Sequence, residues 1–187
     1  MGYKEIYNGW KNDPESFWMT AADAIDWVKK PSKALFSDRA PLYEWFCDSE
    51  VNTCYNAIDR HVLNGRANQK AIIYDSPVTN TKYSITYSEL HEKVATLAGA
   101  LLAKGISKGD RVIIYMPMVP EGLISMLACA RIGAIHSVVF GGFASNELAV
   151  RIDDAKPKAI LAASCGIEPN RIVEYKPLID AAINLSD

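Results

Sequence analysis

The sequence predicts an α/β fold organised around a parallel sheet, and three features of its 187 residues carry that expectation. From Arg111 onward, short runs rich in β-branched residues alternate strictly with helical patterns, the order that builds β-α-β units. The runs "RVIIYM", "AIHSVVF" and "KAILAAS" are almost wholly apolar, as strands covered by helices on both faces must be. The composition, 49% hydrophobic against 22% charged, supplies a sizeable core within one ordinary domain.

The first third reads differently. It holds all four tryptophans (Trp10, Trp18, Trp27, Trp45) and suggests helices joined by irregular chain. Asp13-Pro14-Glu15 starts a helix, with Asp as cap, Pro in the first turn and an acid at the positive end of the dipole; it should end before Pro31. A second helix, from about Val51, sets Val51, Cys54, Tyr55, Ile58 and Val62 on one face, and Gly65 terminates it. Residues 1–69 are therefore expected to form a helical segment acting as a cover or docking surface, ahead of an α/β part at 70–187.

That second part opens with "AIIYDSPVTNTKYSITY", two β-rich runs around a turn-forming loop, hence a hairpin. Thr86 and Glu89 then form a capping box; Leu90, Val94, Leu97 and Leu101 recur at helical spacing, and Gly105 closes the helix. The alternation follows: strand "RVIIYM", helix "PEGLISMLACARI", strand "AIHSVVF", helix "SNELAVRIDDA" capped by Ser145, strand "KAILAAS", and a last helix around "KPLIDAAI". The helix from Pro120 to Ile132 is apolar nearly all round, so it should be buried. Right-handed crossovers put the C-terminal ends of the strands on one edge, where ligands bind in open α/β sheets.

Charge excludes several functions. With 20 basic and 22 acidic residues, net −2, and no like-charge block, neither a nucleic-acid footprint nor a membrane-surface patch is present. No apolar stretch reaches the roughly 18 residues of a membrane span. The opening segment carries acids and no apolar core, so neither a signal nor a transit peptide is expected, and the cytoplasm is the expected compartment. Cys47, Cys54, Cys129 and Cys165 form no C-x-x-C motif and read as reduced thiols acting as small buried hydrophobes. His136 reads as a core histidine, and Asp153-Asp154 as a solvated face. Asp59-Arg60-His61 occupy successive helical positions and cannot share a face, so no catalytic triad is expected there. No catalytic or metal-binding residue is assigned.

Two features fall on the ligand edge. Gly141-Gly142 ends the strand Ser137 to Phe140, where backbone amides could approach a phosphate unobstructed by a Cβ, or where the chain simply makes a tight turn. No G-x-G-x-x-G or G-x-x-x-x-G-K-[ST] pattern settles the choice. Arg171 follows the next strand after a loop beginning at Gly166; its guanidinium suits a phosphate, or it solvates a face.

"CYNAIDRHV", "AIIYDSPVTN", "ITYSEL", "KGDRVIIYMPMVPE" and "ACARIGAIHSVVFGGFA" occur in the order found in short-chain acyl-CoA synthetases of the adenylate-forming, AMP-binding superfamily. Over essentially all its length the chain resembles the beginning of such an enzyme, and "YDSPVTN" is more similar to the propionyl branch than to the acetyl branch. The resemblance implies an acid-thiol ligase: propionate or acetate reacts with ATP on Mg2+ to give an acyl-adenylate and pyrophosphate, and coenzyme A then displaces AMP. Adenylation supplies a leaving group to a carboxylate that is otherwise a poor electrophile.

The family's "FGG" segment lies against coenzyme A, which implies that role for Phe140, Gly141 and Gly142. Relatives in the acetyl branch place two arginines three residues apart near the coenzyme A nucleotide. The corresponding positions here are Glu168 and Arg171, so only Arg171 matches, and a glutamate beside a phosphate would repel it.

The family's Ser/Thr/Gly-rich loop ending in Pro-Lys-Gly, its ATP, Mg2+ and acyl-pocket segments and its C-terminal domain have no counterpart in these residues. The resemblance therefore implies an inactive fragment whose ATP and Mg2+ sites lie outside the chain. The last strand, Lys158 to Ser164, would be an unpaired edge that invites self-association. The rival expectation is a non-catalytic ligand- or partner-binding α/β module. A flavodoxin-like receiver fits poorly, because the strand ending at Tyr115-Met116 has no acidic cluster.

Overall fold

The computed structural model describes residues 2–186, which pack as two units, one up to Asn52 and one from Thr53 onward. The first unit begins with α1 (Tyr3–Asn12) and α2 (Pro14–Ala22). Asp13 caps α2 by accepting from the Ser16 amide at 3.0 Å, with Pro14 as the first helical residue. The helix ends at Ala22, well before Pro31, because the amides of Asp23, Ala24 and Ile25 turn back to carbonyls three residues earlier. The Trp27 indole donates to the Ala22 carbonyl at 2.8 Å and so satisfies an acceptor at the helix end.

Irregular chain was expected next, but four short strands appear: β1 (Trp27–Lys29), β2 (Leu35–Phe36), β3 (Glu44–Trp45) and β4 (Glu50–Val51). β1 pairs antiparallel with β4, and β2 with β3. Val51 thus belongs to a strand and not to the following helix. Aromatic rings fill the unit, with Trp18 edge-on to Trp45 at 5.4 Å and Trp27 against Phe46 at 5.6 Å.

The second unit starts with a helical segment over residues 53–66 that uses π-type bonding at Tyr55–Asp59 and Val62–Arg66. Cys54 and Ile58 are its buried residues, and Gly65 ends it at φ +81°. β5 (Lys70–Ser76) and β6 (Thr81–Thr86) form the expected antiparallel hairpin. α3 (Tyr87–Ala103) opens on the capping box, the Thr86 amide donating to Glu89 Oε2 at 2.7 Å and the Glu89 amide to Thr86 Oγ1 at 3.2 Å.

β7 (Arg111–Met116), α4 (Pro120–Ile132), β8 (Ile135–Phe140), α5 (Ser145–Ala155) and β9 (Ala159–Ala162) complete the alternation. The three strands are parallel in the order β8-β7-β9. Successive β7 side chains point to opposite faces. Val112 joins a core with Val94, Leu101, Ala128 and Cys129 of α3 and α4, while Ile113 and Tyr115 join one with Leu148 and Ala149 of α5.

Several expectations need correction. β7 is buried only from Val112 to Tyr115; β8 is an edge strand whose Ile135, Val138 and Phe140 stay exposed, and His136 is half-buried, not a core residue. α4 buries one face, through Ile124, Ser125, Ala128 and Cys129, and leaves Leu123 exposed. Ser145 is the first residue of α5, with Ala144 at the cap. Cys54 and Cys129 are buried as expected, but Cys47 is exposed and Cys165 only partly covered. After β9 comes a second hairpin, β10 (Cys165–Glu168) with β11 (Arg171–Glu174), then α6 (Tyr175–Leu185). Arg171 therefore sits on a strand, not in a loop.

The end of the sheet remote from the ligand edge is tied by one carboxylate. Asp110 accepts from the Ser107 amide (2.7 Å), the Ser107 hydroxyl (2.8 Å) and Lys158 Nζ (3.0 Å), and Lys158 also donates to the Gly105 carbonyl. The Lys158 bond, with the Ser107 donors, lowers the Asp110 carboxyl from its ordinary 3.8 to about 2. A depressed pKa stabilises the fold fully above the ordinary value and ceases to do so as pH falls through the lowered one. Asp110→Asn should therefore melt below the parent chain at pH 7, and the gap should close between pH 3.8 and about 2.

Candidate functional site

Beyond the C-terminal ends of β7 and β8 lies a cavity of about 390 Å³. Its walls are the segment Met116-Pro117-Met118 after β7, the β8 end and turn at Phe140, Gly141 and Gly142, and Gly166, Ile167 and Glu168 of β10, with Tyr175 of α6 completing them. Phe140 through Phe143 form a turn closed by the Phe143 amide donating to the Phe140 carbonyl at 3.0 Å. The Tyr115 hydroxyl holds its far end, donating to the Phe143 carbonyl at 2.8 Å. Tyr115 packs in turn against Tyr175, the rings tilted with centres 4.9 Å apart.

The two glycines have separate reasons to be glycine. Neither adopts positive φ, so turn geometry does not demand them; the left-handed glycines are Gly65, Gly105, Gly109 and Gly133. A Cβ on Gly141 would overlap the Tyr175 hydroxyl and approach the Met116 carbonyl at 3.1 Å. A Cβ on Gly142 would meet Phe140 Cε1 at 2.6 Å, and that ring is 66% exposed. Gly141 is fixed by buried packing and Gly142 by a ring at the cavity mouth.

Of the four expected site residues, Phe140, Gly141 and Gly142 share the cavity wall, and Arg171 is held beside it. Arg171 Nε donates to Glu168 Oε2 at 2.7 Å across the β10–β11 hairpin, so the glutamate on the wall neutralises the arginine. This bond holds the Glu168 carboxyl below its ordinary range. Met118, Ile167 and Tyr175 are wall residues that sequence reading did not single out.

A second polar cluster lies between the 53–66 segment, α3 and α4. Arg131 grips Asp59 with two nitrogens at 2.7 and 2.8 Å, and His91 Nε2 lies 3.0 Å from the same carboxylate. Burial pushes the Asp59 carboxyl up, but the Arg131 hydrogen bond and charge, with His91, outweigh it and leave the group below its ordinary value. Arg60 bonds Asn56 and the His61 ring packs on Tyr87, so the three residues of "DRH" face different partners. Burial raises the thiols of Cys54 and Cys129, which disfavours the nucleophilic thiolate at both.

These elements, from Asp59 to the last turns of α6, coincide with a match to the profile of the AMP-binding enzyme family over residues 59–184. The chain belongs to that family. Residues 3–57 match the family described as acetyl-coenzyme A synthetase N-terminus. The chain is 55% identical over 183 residues to the bovine mitochondrial acyl-CoA synthetase short-chain family member 3, covering 98% of this chain and 27% of the relative. It is 45% identical over 183 residues to propionate--CoA ligase of Salmonella typhimurium, covering 98% and 29% respectively. The chain thus spans between a quarter and a third of the length of these curated relatives. No helix among the described residues is long and apolar enough to cross a membrane.

Proposed function

We propose that the chain forms the coenzyme A-facing part of an ATP-dependent short-chain acyl-CoA synthetase, converting propionate or acetate, ATP and coenzyme A to acyl-CoA, AMP and diphosphate. The observation that carries this reading is the Phe140–Gly142 turn, which opens onto an apolar-walled cavity at the ligand edge of the sheet. The cavity suits the uncharged portions of coenzyme A, because its one wall carboxylate is already paired with Arg171. We assign the Mg2+ and ATP sites to the part of such an enzyme that this chain, which spans 27% of its bovine relative, does not cover. Four cysteines free of disulfides support a reducing compartment, for which we propose the cytoplasm.

Two assays on the 187-residue chain test the reading. Incubated with ATP, magnesium, propionate and coenzyme A, it should release no pyrophosphate above a buffer blank. Titrated calorimetrically with coenzyme A alone, it should bind one equivalent. Pyrophosphate release would overturn the first half of the proposal, and absence of any binding heat or competition would overturn the second.

A further inference from the structure

Tyr175 opens α6 with its ring on the cavity wall, and the residue is only 4% exposed. Its hydroxyl lies between two backbones: a Cβ on Gly141 would overlap it, and one on Gly166 would fall 2.6 Å away. Two glycines from different elements thus make room for one oxygen. Among the described residues no hydrogen bond joins that hydroxyl to the protein, and it is not one of the buried polar atoms cut off from solvent, so its donor is open to the cavity. Burial pushes the phenol above its ordinary range, which keeps it a neutral donor.

We propose that Tyr175 is a ligand-contacting residue whose hydroxyl donates a hydrogen bond to an uncharged oxygen of coenzyme A, and that Gly141 and Gly166 are glycine to admit that oxygen to the cavity. This rests on the coenzyme A reading above. An uncharged acceptor is favoured because no Lys or Arg lines the wall to neutralise a phosphate, and the neighbouring Arg171 is already paired with Glu168. Such an acceptor is a pantetheine amide carbonyl or a ribose hydroxyl, and the two halves of the ligand separate these sources.

Tyr175→Phe removes only the hydroxyl and leaves the ring packed against Tyr115. It should weaken coenzyme A binding by about three- to tenfold. The melting temperature should hold or rise slightly, since no intramolecular hydrogen bond is lost. Pantetheine and adenosine 3′,5′-bisphosphate, titrated separately, should show the loss in one half only, pantetheine if the acceptor is the amide and the bisphosphate if it is the ribose. Unchanged coenzyme A affinity in Tyr175→Phe, with Gly142→Val still weakening it, would overturn this inference alone. A parent chain that binds no coenzyme A would overturn the functional reading and this inference with it.

Discussion

Replacing Asp59 with alanine should destabilise the second unit by about 2–3 kcal/mol, lowering its melting temperature by roughly 5–10 °C. The substitution leaves the Arg131 guanidinium without its bidentate partner among three helical elements, where it is only one quarter exposed. Removing one member of a fully buried pair costs about 3–5 kcal/mol, and the partial exposure here reduces that figure. Asp59→Asn keeps one acceptor and should lose less. Because the folded carboxyl titrates below its ordinary value, the contribution is complete at neutral pH and vanishes as pH falls through the lowered pKa. Parent and Asp59→Ala should therefore converge in strong acid. Equal melting at pH 7, measured by circular dichroism, would contradict the assignment.

Gly141→Val should cost about 2–3 kcal/mol through overpacking. The added carbons meet the Tyr175 ring and the Met116 carbonyl, and neither can retreat, because Tyr175 is buried against Tyr115. Its neighbour behaves differently. The atoms nearest a Cβ at Gly142 belong to the exposed Phe140 ring, so for Gly142→Val stability should change by less than about 1 kcal/mol while coenzyme A affinity falls on the order of tenfold as that ring is driven from its place. Paired thermal melts and coenzyme A titrations check both. Equal stability losses in the two variants would show that the glycines serve the turn in the same way.

The contrast between these glycines was not legible in the sequence. "FGG" at a strand end marks the place, but what separates Gly141 from Gly142 is a tyrosine hydroxyl arriving from α6, more than thirty positions later. Asp59 and Arg131 are likewise 72 positions apart, and local spacing said nothing of their pairing. Local signals succeeded where one stretch of chain decides the outcome: the Thr86–Glu89 capping box, the β5–β6 hairpin, Gly65 and Gly105 as helix stops, and the apolar run of β7. They failed for β1 to β4, which are too short to show a period of two. They also failed for β10 and β11, where Gly166 interrupts one strand and the arginine and glutamate read as loop polarity. The expectation that all strands are covered on both faces depended on neighbours that β8 lacks as an edge.

The most direct test is to record backbone amide spectra of the isotopically labelled chain while titrating coenzyme A. The shifts should saturate together and centre on residues 140–142, on Gly166 to Glu168 and on Tyr175, with the Asp59–Arg131 cluster unmoved. Saturable shifts centred elsewhere, or a folded chain whose spectrum does not respond, would contradict it.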